Sequence, residues 1–446
     1  MAHRFLTSPS YDGYFDFFTL AIVLTKYVKD HAATIQRALA WRPSDPSTPH
    51  ELDIRALLAH EATHFLDMTT TNWGRQYVFR KLRFLSLIDT PGAKRNEAEK
   101  VFMIDTGEID VHDHLLETGE IRPSACGTLR HGIVYTEKFG AVLLVKYFSA
   151  VQAVHTVPLS MISLLEANAS ASEFLCRIHY MESLLEPAER MLTLQDIEQE
   201  FGDLLDDPKR LEYSVLLRLT RDAFPMWELK NVLQLVAALS RFSLDLPDLA
   251  MAIVANDVER SITKSFYANA IANELRRGQH RQMVFFKTLM FINDFLTQMS
   301  EEMAVAYDLE LREAPRQAIR RVWIEGLGVK ESNLDLMREH QGALQLRMIE
   351  EIGLLEDGRI IRESGDANSA LLDTASAGSL ALSQLRLPNF YLADNTELAF
   401  PNAMDLRIVD YVDENIEKFA KLTGAYRAQT PGRIHMPPDT VQFMIK

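Results

Sequence analysis

Residues 48–64 leave little freedom in what they form. Thr48-Pro49-His50-Glu51 reads as a capping box with proline at the first helical position, which fixes a helix start. The helix then runs through Asp53 to Leu58 into His60-Glu61-Ala62-Thr63-His64 and on to about Thr70. At 100° per residue, Ile54, Leu57, Leu58, Phe65 and Met68 make one apolar stripe, with Glu61 inside it and His60 and His64 along its edge. A carboxylate on an apolar face is costly unless it has a partner. Two histidines one turn apart can grip a single ion, and a glutamate beside them can serve as general base on an activated water. The plainer alternative is a helix with two ordinary histidines and a snorkelling glutamate. Chance supplies such a match in roughly a few per cent of chains of this kind. The position of Glu61 favours the metal site.

A catalytic zinc takes three protein ligands and one open position. The metzincin arrangement needs glycine at position 67 and histidine at position 70, where this chain has Asp67 and Thr70. The other common third ligand is a glutamate on a second helix. Glu166 is the best candidate, because the small residues Ala167, Ala169, Ser170, Ala171 and Ser172 allow close helix approach. Glu166, Ser170, Glu173 and Arg177 share one face, although Glu173 with Arg177 also reads as an i,i+4 pair on a solvated face. Glu182, His112 and His114 are weaker rivals, expected as polar loop or surface residues. Asp67 projects on the histidine side, either to accept a ligand's second ring N–H or to face solvent or a salt-bridge partner. Tyr135, His131, His179 and Tyr180 are the candidates for oxyanion stabilisation or substrate contact.

The string from His60 to Asp67, followed by Thr69-Thr70-Thr71-Asn72-Trp73-Gly74, resembles uncharacterised bacterial HExxH proteins. The later Leu165-Glu166-Ala167-Asn168-Ala169 fits the same pattern. Such proteins are similar to the gluzincin group of zinc metallopeptidases. The resemblance covers residues 48 to 180. It implies one zinc ion on His60, His64 and Glu166, with Glu61 as general base and a protein or peptide as substrate. Position 67, often glutamine in similar proteins, is Asp67 here.

The rest of the chain sets the context. Its 446 residues suffice for two or three domains. The net charge of −15, with no lysine/arginine cluster, argues against nucleic acid and anionic membranes as partners. Cys126 and Cys176 make no disulfide framework. The N-terminus has no apolar signal core, and the run Phe17 to Leu24 is too short to span a bilayer, so the cytoplasm is the expected compartment. The pattern predicts a mainly α protein with a small sheet or hairpin: a zincin-like domain over 1–190, a helical accessory domain over 191–355, and a linker with a mixed C-terminal segment over 356–446. Tyr14 to Trp41 reads as helical, Arg75 to Leu87 and Met161 to about Leu185 as helices, and Gly132–Tyr135 with Gly140–Tyr147 as β. Asn231–Phe242, Ala250–Arg277 and Gln282–Tyr307 read as long helices. Glu356 to Ser379 is the linker candidate, and one more helix is expected near 408–422. The oligomeric state is left open. Two further functions compete with the peptidase: a catalytically inactive zincin-like binding or sensor protein, and a helical interaction scaffold.

Overall fold

In the computed structural model, helices dominate and two small sheets accompany them. The structure describes residues 12–399 except 18, 42–44, 46, 91, 99–110, 113, 138, 263–264, 351–354 and 374–376; beyond 399 it describes 402–404, 406, 408, 414–415, 418 and 434–435. The helix expected over 408–422 therefore falls mostly outside the described residues, as do the N-terminal residues 1–11. No described helix is long and apolar enough to cross a membrane.

The chain groups into two compact units, each assembled from separated stretches rather than consecutive segments. One comprises Met1–Thr106, Ala169–Gln199 and Gln345–Gln429, the other Gly107–Asn168, Glu200–Leu344 and Thr430–Lys446.

The first unit opens with a hairpin, not the helix expected over Tyr14–Trp41. Strands β1 (Tyr14–Asp16) and β2 (Ala21–Leu24) pair antiparallel, and only Ala32–Ala40 forms a helix, α1. Phe15, Phe17, Leu20, Ile22 and Leu24 are all buried, and a short buried apolar run does not by itself separate a strand from a helix. β2 also pairs in parallel with β6 (Phe390–Leu392), which carries β7 (Glu397–Leu398) at the far edge. Helix α2 (Pro49–Thr70) starts at the predicted capping box, with both reciprocal bonds present. Thr71 accepts from Gly74 N–H and caps α3 (Asn72–Ser86) directly, so α2 passes into α3 through a single capping residue.

The linker expected over 356–379 is instead mostly helix, α14 (Leu355–Leu372), packed on α2. Its glycine content has a packing cause. A Cβ at Gly365 would lie 2.1 Å from the carbonyl oxygen of Thr69, so two helix backbones meet there. Arg75 fastens the same junction, donating to Thr69 O at 2.7 Å and to Asp366 at 2.6 Å.

The second unit holds the predicted hairpin, β3 (Thr128–Thr136) and β4 (Gly140–Ser149), joined by β5 (Gln152–Pro158), which sequence reading missed; β8 (Ile434–His435) pairs at the other edge. β5 leads into α4 (Met161–Ser183), whose residues from Ala169 on belong to the first unit and whose first residues belong to the second. Its helices α6 (Leu211–Ala223), α7 (Leu229–Asp245), α8 (Asp248–Ser261), α9 (Ser265–Arg276) and α10 (Arg281–Gln298) follow α5 (Pro187–Asp206). The single helix expected over Ala250–Arg277 is thus two. The one expected over Gln282–Tyr307 stops at Met299, after which Ser300 opens α11 (Glu301–Glu313). Helices α12 (Pro315–Leu327) and α13 (Glu331–Glu350) complete the order. Arg281, fully buried, ties several of these together, donating to Gly278 O at 3.0 Å, Ser243 O at 3.2 Å and Asp248 at 2.6 Å.

Candidate metal centre

Two helices build the site. α2 carries His60, Glu61 and His64 inside a segment buried almost without break from Ala59 to Thr71. Its threonines are satisfied locally: Thr63, Thr69 and Thr70 each donate to the carbonyl four residues back. α4 is buried throughout residues 161–172.

His60, His64 and Glu166 come together, each offering one donor atom, all within 4.8 Å of one another. They are 7%, 2% and 3% exposed, and Glu61 is 2% exposed. Zinc bound tetrahedrally holds its donors about 3.4 Å apart, so small side-chain movements suffice to share an ion. Two imidazoles and one carboxylate are the donor set of an open zinc site, and three protein ligands leave one position for water or substrate.

A further contact supports the fit. The Nδ1 of His60 lies 3.1 Å from Glu173 Oε2. Held there, the ring turns its other nitrogen, Nε2, toward an ion, the usual way in which a carboxylate fixes a ligand imidazole. Glu173 is in turn 4.0 Å from Arg177, and Arg177 donates to Asp53 at 3.0 Å. Glu173 thus turns to His60 as well as Arg177, so the face is not simply a solvated ion-pair face. His64 is covered from the other side by the rings of Phe17, at 5.4 Å between centroids, and Phe15, at 6.3 Å.

The remaining candidates separate clearly. Asp67 is fully buried, which removes its solvent-facing alternative. Tyr180 donates its hydroxyl to Ser47 O at 3.2 Å and packs on Trp41, a structural use that anchors α4 to the start of α2. Tyr135 stands on β3 with its ring edge-on to Phe266, and His131 packs on Phe286. Burial pushes the His131 imidazole down to about 4, with the Lys287 cation adding to it. His179 is half-buried on α4. Glu182 and His114 are exposed, as expected.

His112 is the correction among the rivals. It is buried, not on the surface, and its Nε2 lies 3.2 Å from Ser163 Oγ, one turn before Glu166. Burial pushes it down to about 3, against the pull of Glu166. Sequence reading also missed Glu212 on α6, whose carboxyl burial pushes up to about 7, with the Glu166 charge contributing. Nothing in the local pattern marks either residue, since their neighbours come from distant segments.

No protein-family model, curated protein or solved structure matches the chain.

Proposed function

We propose that the chain is a zinc-dependent metallopeptidase of the gluzincin type, acting on peptide bonds of a protein or peptide. The observation that carries the reading is the buried group of His60, His64 and Glu166 beside Glu61, with His60 oriented by Glu173. His60 and His64 from α2 and Glu166 from α4 are the residues to hold one zinc. The ion supplies Lewis acidity, polarising a carbonyl and making water a better nucleophile at neutral pH. Glu61 takes the proton from the attacking water and passes it to the departing amine. Glu173 keeps His60 in one ring orientation, so its donor nitrogen need not be reoriented on binding. The cytoplasm is the proposed compartment, in keeping with two cysteines that are free and buried.

One observation favours the zincin-like binding protein as second reading: every residue of the group is buried, which suits holding an ion better than receiving a peptide. The test is zinc content by elemental mass spectrometry, beside turnover of a peptide library by wild type and Glu61→Gln. The peptidase reading expects about one zinc per chain in both proteins and turnover only in wild type. Zinc in both with no turnover in either selects the second reading, and wild type without zinc refutes both.

A further inference from the structure

The proposed reaction needs an opening. A carbonyl under attack must come within about 3 Å of Glu61 and its water, yet none of His60, Glu61, His64 and Glu166 exposes more than 7% of its surface. The element lying on His64 is identifiable. Phe15 of β1 and Phe17 just after it are buried, meet each other edge to face at 4.7 Å, and both rest on the His64 ring.

This cover has the build of a removable part. β1 is only three residues long and lies at the edge of its sheet, where β2 is its one strand partner among the described residues, and it packs on α2. The turn behind it is strained: Leu20 has φ of 62°, a left-handed conformation that a bulky residue adopts at a cost. Asp16 holds the turn from within, accepting from Thr19 Oγ1 at 2.8 Å and, through its carbonyl, from Leu20 N–H at 2.7 Å. The external fastening is Lys81 of α3. Fully buried, it donates its Nζ to the Phe17 carbonyl at 3.0 Å. It feels the charges of Asp16 and of Asp357 on α14. A buried lysine ending on a backbone carbonyl is an expensive way to hold one turn; as a latch on a moving part, the expense has a use.

We infer that β1 with Phe17 is an autoinhibitory plug over His64, latched by Lys81, that must withdraw before substrate reaches Glu61. The inference rests on the metallopeptidase reading for its purpose, but its mechanics are testable without metal. In full-length protein treated with a chelator, carbethoxylation of His64 by diethyl pyrocarbonate is followed by peptide mass spectrometry. Phe17→Ala and Lys81→Met each accelerate it at least about tenfold, while His131 and His280 keep their wild-type rates. In wild type, hydrogen exchange of the β1 and β2 amides shows openings at least about tenfold more frequent than those of α2. Wild-type His64 rates in both variants overturn the plug. So do hairpin amides that exchange only as slowly as α2, a result that stands even where a variant unfolds. Zinc content, measured separately, tests the metal reading: its absence sinks that reading while the exchange and labelling data still decide whether the cover moves.

Discussion

Replacing Glu173 separates an orienting carboxylate from a ligand. Its Oε2 lies 3.1 Å from His60 Nδ1, and its other oxygen faces Arg177 at 4.0 Å. Loss of such a partner to a ligand histidine typically weakens metal binding by about 10- to 100-fold, or roughly 1.4 to 2.7 kcal/mol. The Glu173 side chain is 29% exposed, and Arg177 competes for its charge, which places the loss toward the lower end. Glu173→Ala should therefore bind zinc about tenfold more weakly, and Glu173→Gln, which keeps an acceptor oxygen, less than that. The assay is a competition titration against a chromophoric zinc chelator at fixed pH, with folding checked by circular dichroism. Unchanged affinity in Glu173→Ala would refute the orienting role. A loss as large as that of His64→Ala would make Glu173 a ligand and displace Glu166 from the set.

Other outcomes follow from the same geometry. Glu166→Ala and His64→Ala should each abolish stoichiometric zinc in elemental analysis, and either retaining one zinc per chain would refute its assignment. Arg281→Ala leaves several buried carbonyls without their donor and removes the ion pair of the partly exposed Asp248, and should cost about 1 to 3 kcal/mol in a urea titration. Gly365→Ala, with a Cβ only 2.1 Å from Thr69 O, should cost about 1 to 3 kcal/mol, and a wild-type midpoint would mean that α14 yields freely. Acid should destabilise the fold. Burial holds His112 at about 3 and His131 and His280 at about 4, below the 6.5 of the unfolded chain. The unfolded state then takes up protons first, so their stabilisation is complete above 6.5 and is lost as the pH falls toward 4. At pH 5 each contributes a loss of about 2 kcal/mol relative to pH 7. Glu212, pushed up to about 7, binds its proton earlier in the native state and returns about 2 kcal/mol, leaving a net loss of about 4 kcal/mol. An unchanged urea midpoint between pH 7 and pH 5 would contradict those buried, neutral imidazoles.

What could be read from sequence was local. Thr48 and Glu51 sit three residues apart, so the capping box and the start of α2 were legible, as were β3 and β4 from their apolar runs. The meeting of His60 with Glu166 was foreshadowed by small residues that make close helix approach possible. The hairpin at Phe15 was misread because β2 finds its parallel partner in Phe390–Leu392, far along the chain, and no local pattern announces such a pairing. The stretch after Glu356 was misread for the opposite reason: glycine and small residues signal a linker and a close helix crossing alike, and only the carbonyl of Thr69 against Gly365 distinguishes them. His112 was expected on a loop or the surface because its buried neighbour, Ser163, comes 51 residues later.

The strongest physical argument for a cation comes from the charges that α2 and α4 bury together. Glu61, Asp67 and Glu166 are each at most 3% exposed. Carboxylates in such surroundings must be protonated, paired or bound to metal, because an isolated buried charge costs far more than a fold can spare. The threonines on the same stretch of α2 bond to the helix that carries them. Were the segment only a polar helix inside a core, apolar residues at 61 and 166 would stabilise it more cheaply, as they do when buried ion pairs are replaced by well-packed side chains. A divalent ion held by His60, His64 and Glu166 would supply two positive charges beside these carboxylates. Glu61→Leu with Glu166→Leu thus becomes a discriminating double variant: a more stable protein without zinc marks a site maintained for function, whereas a less stable one makes those carboxylates part of the fold's own support.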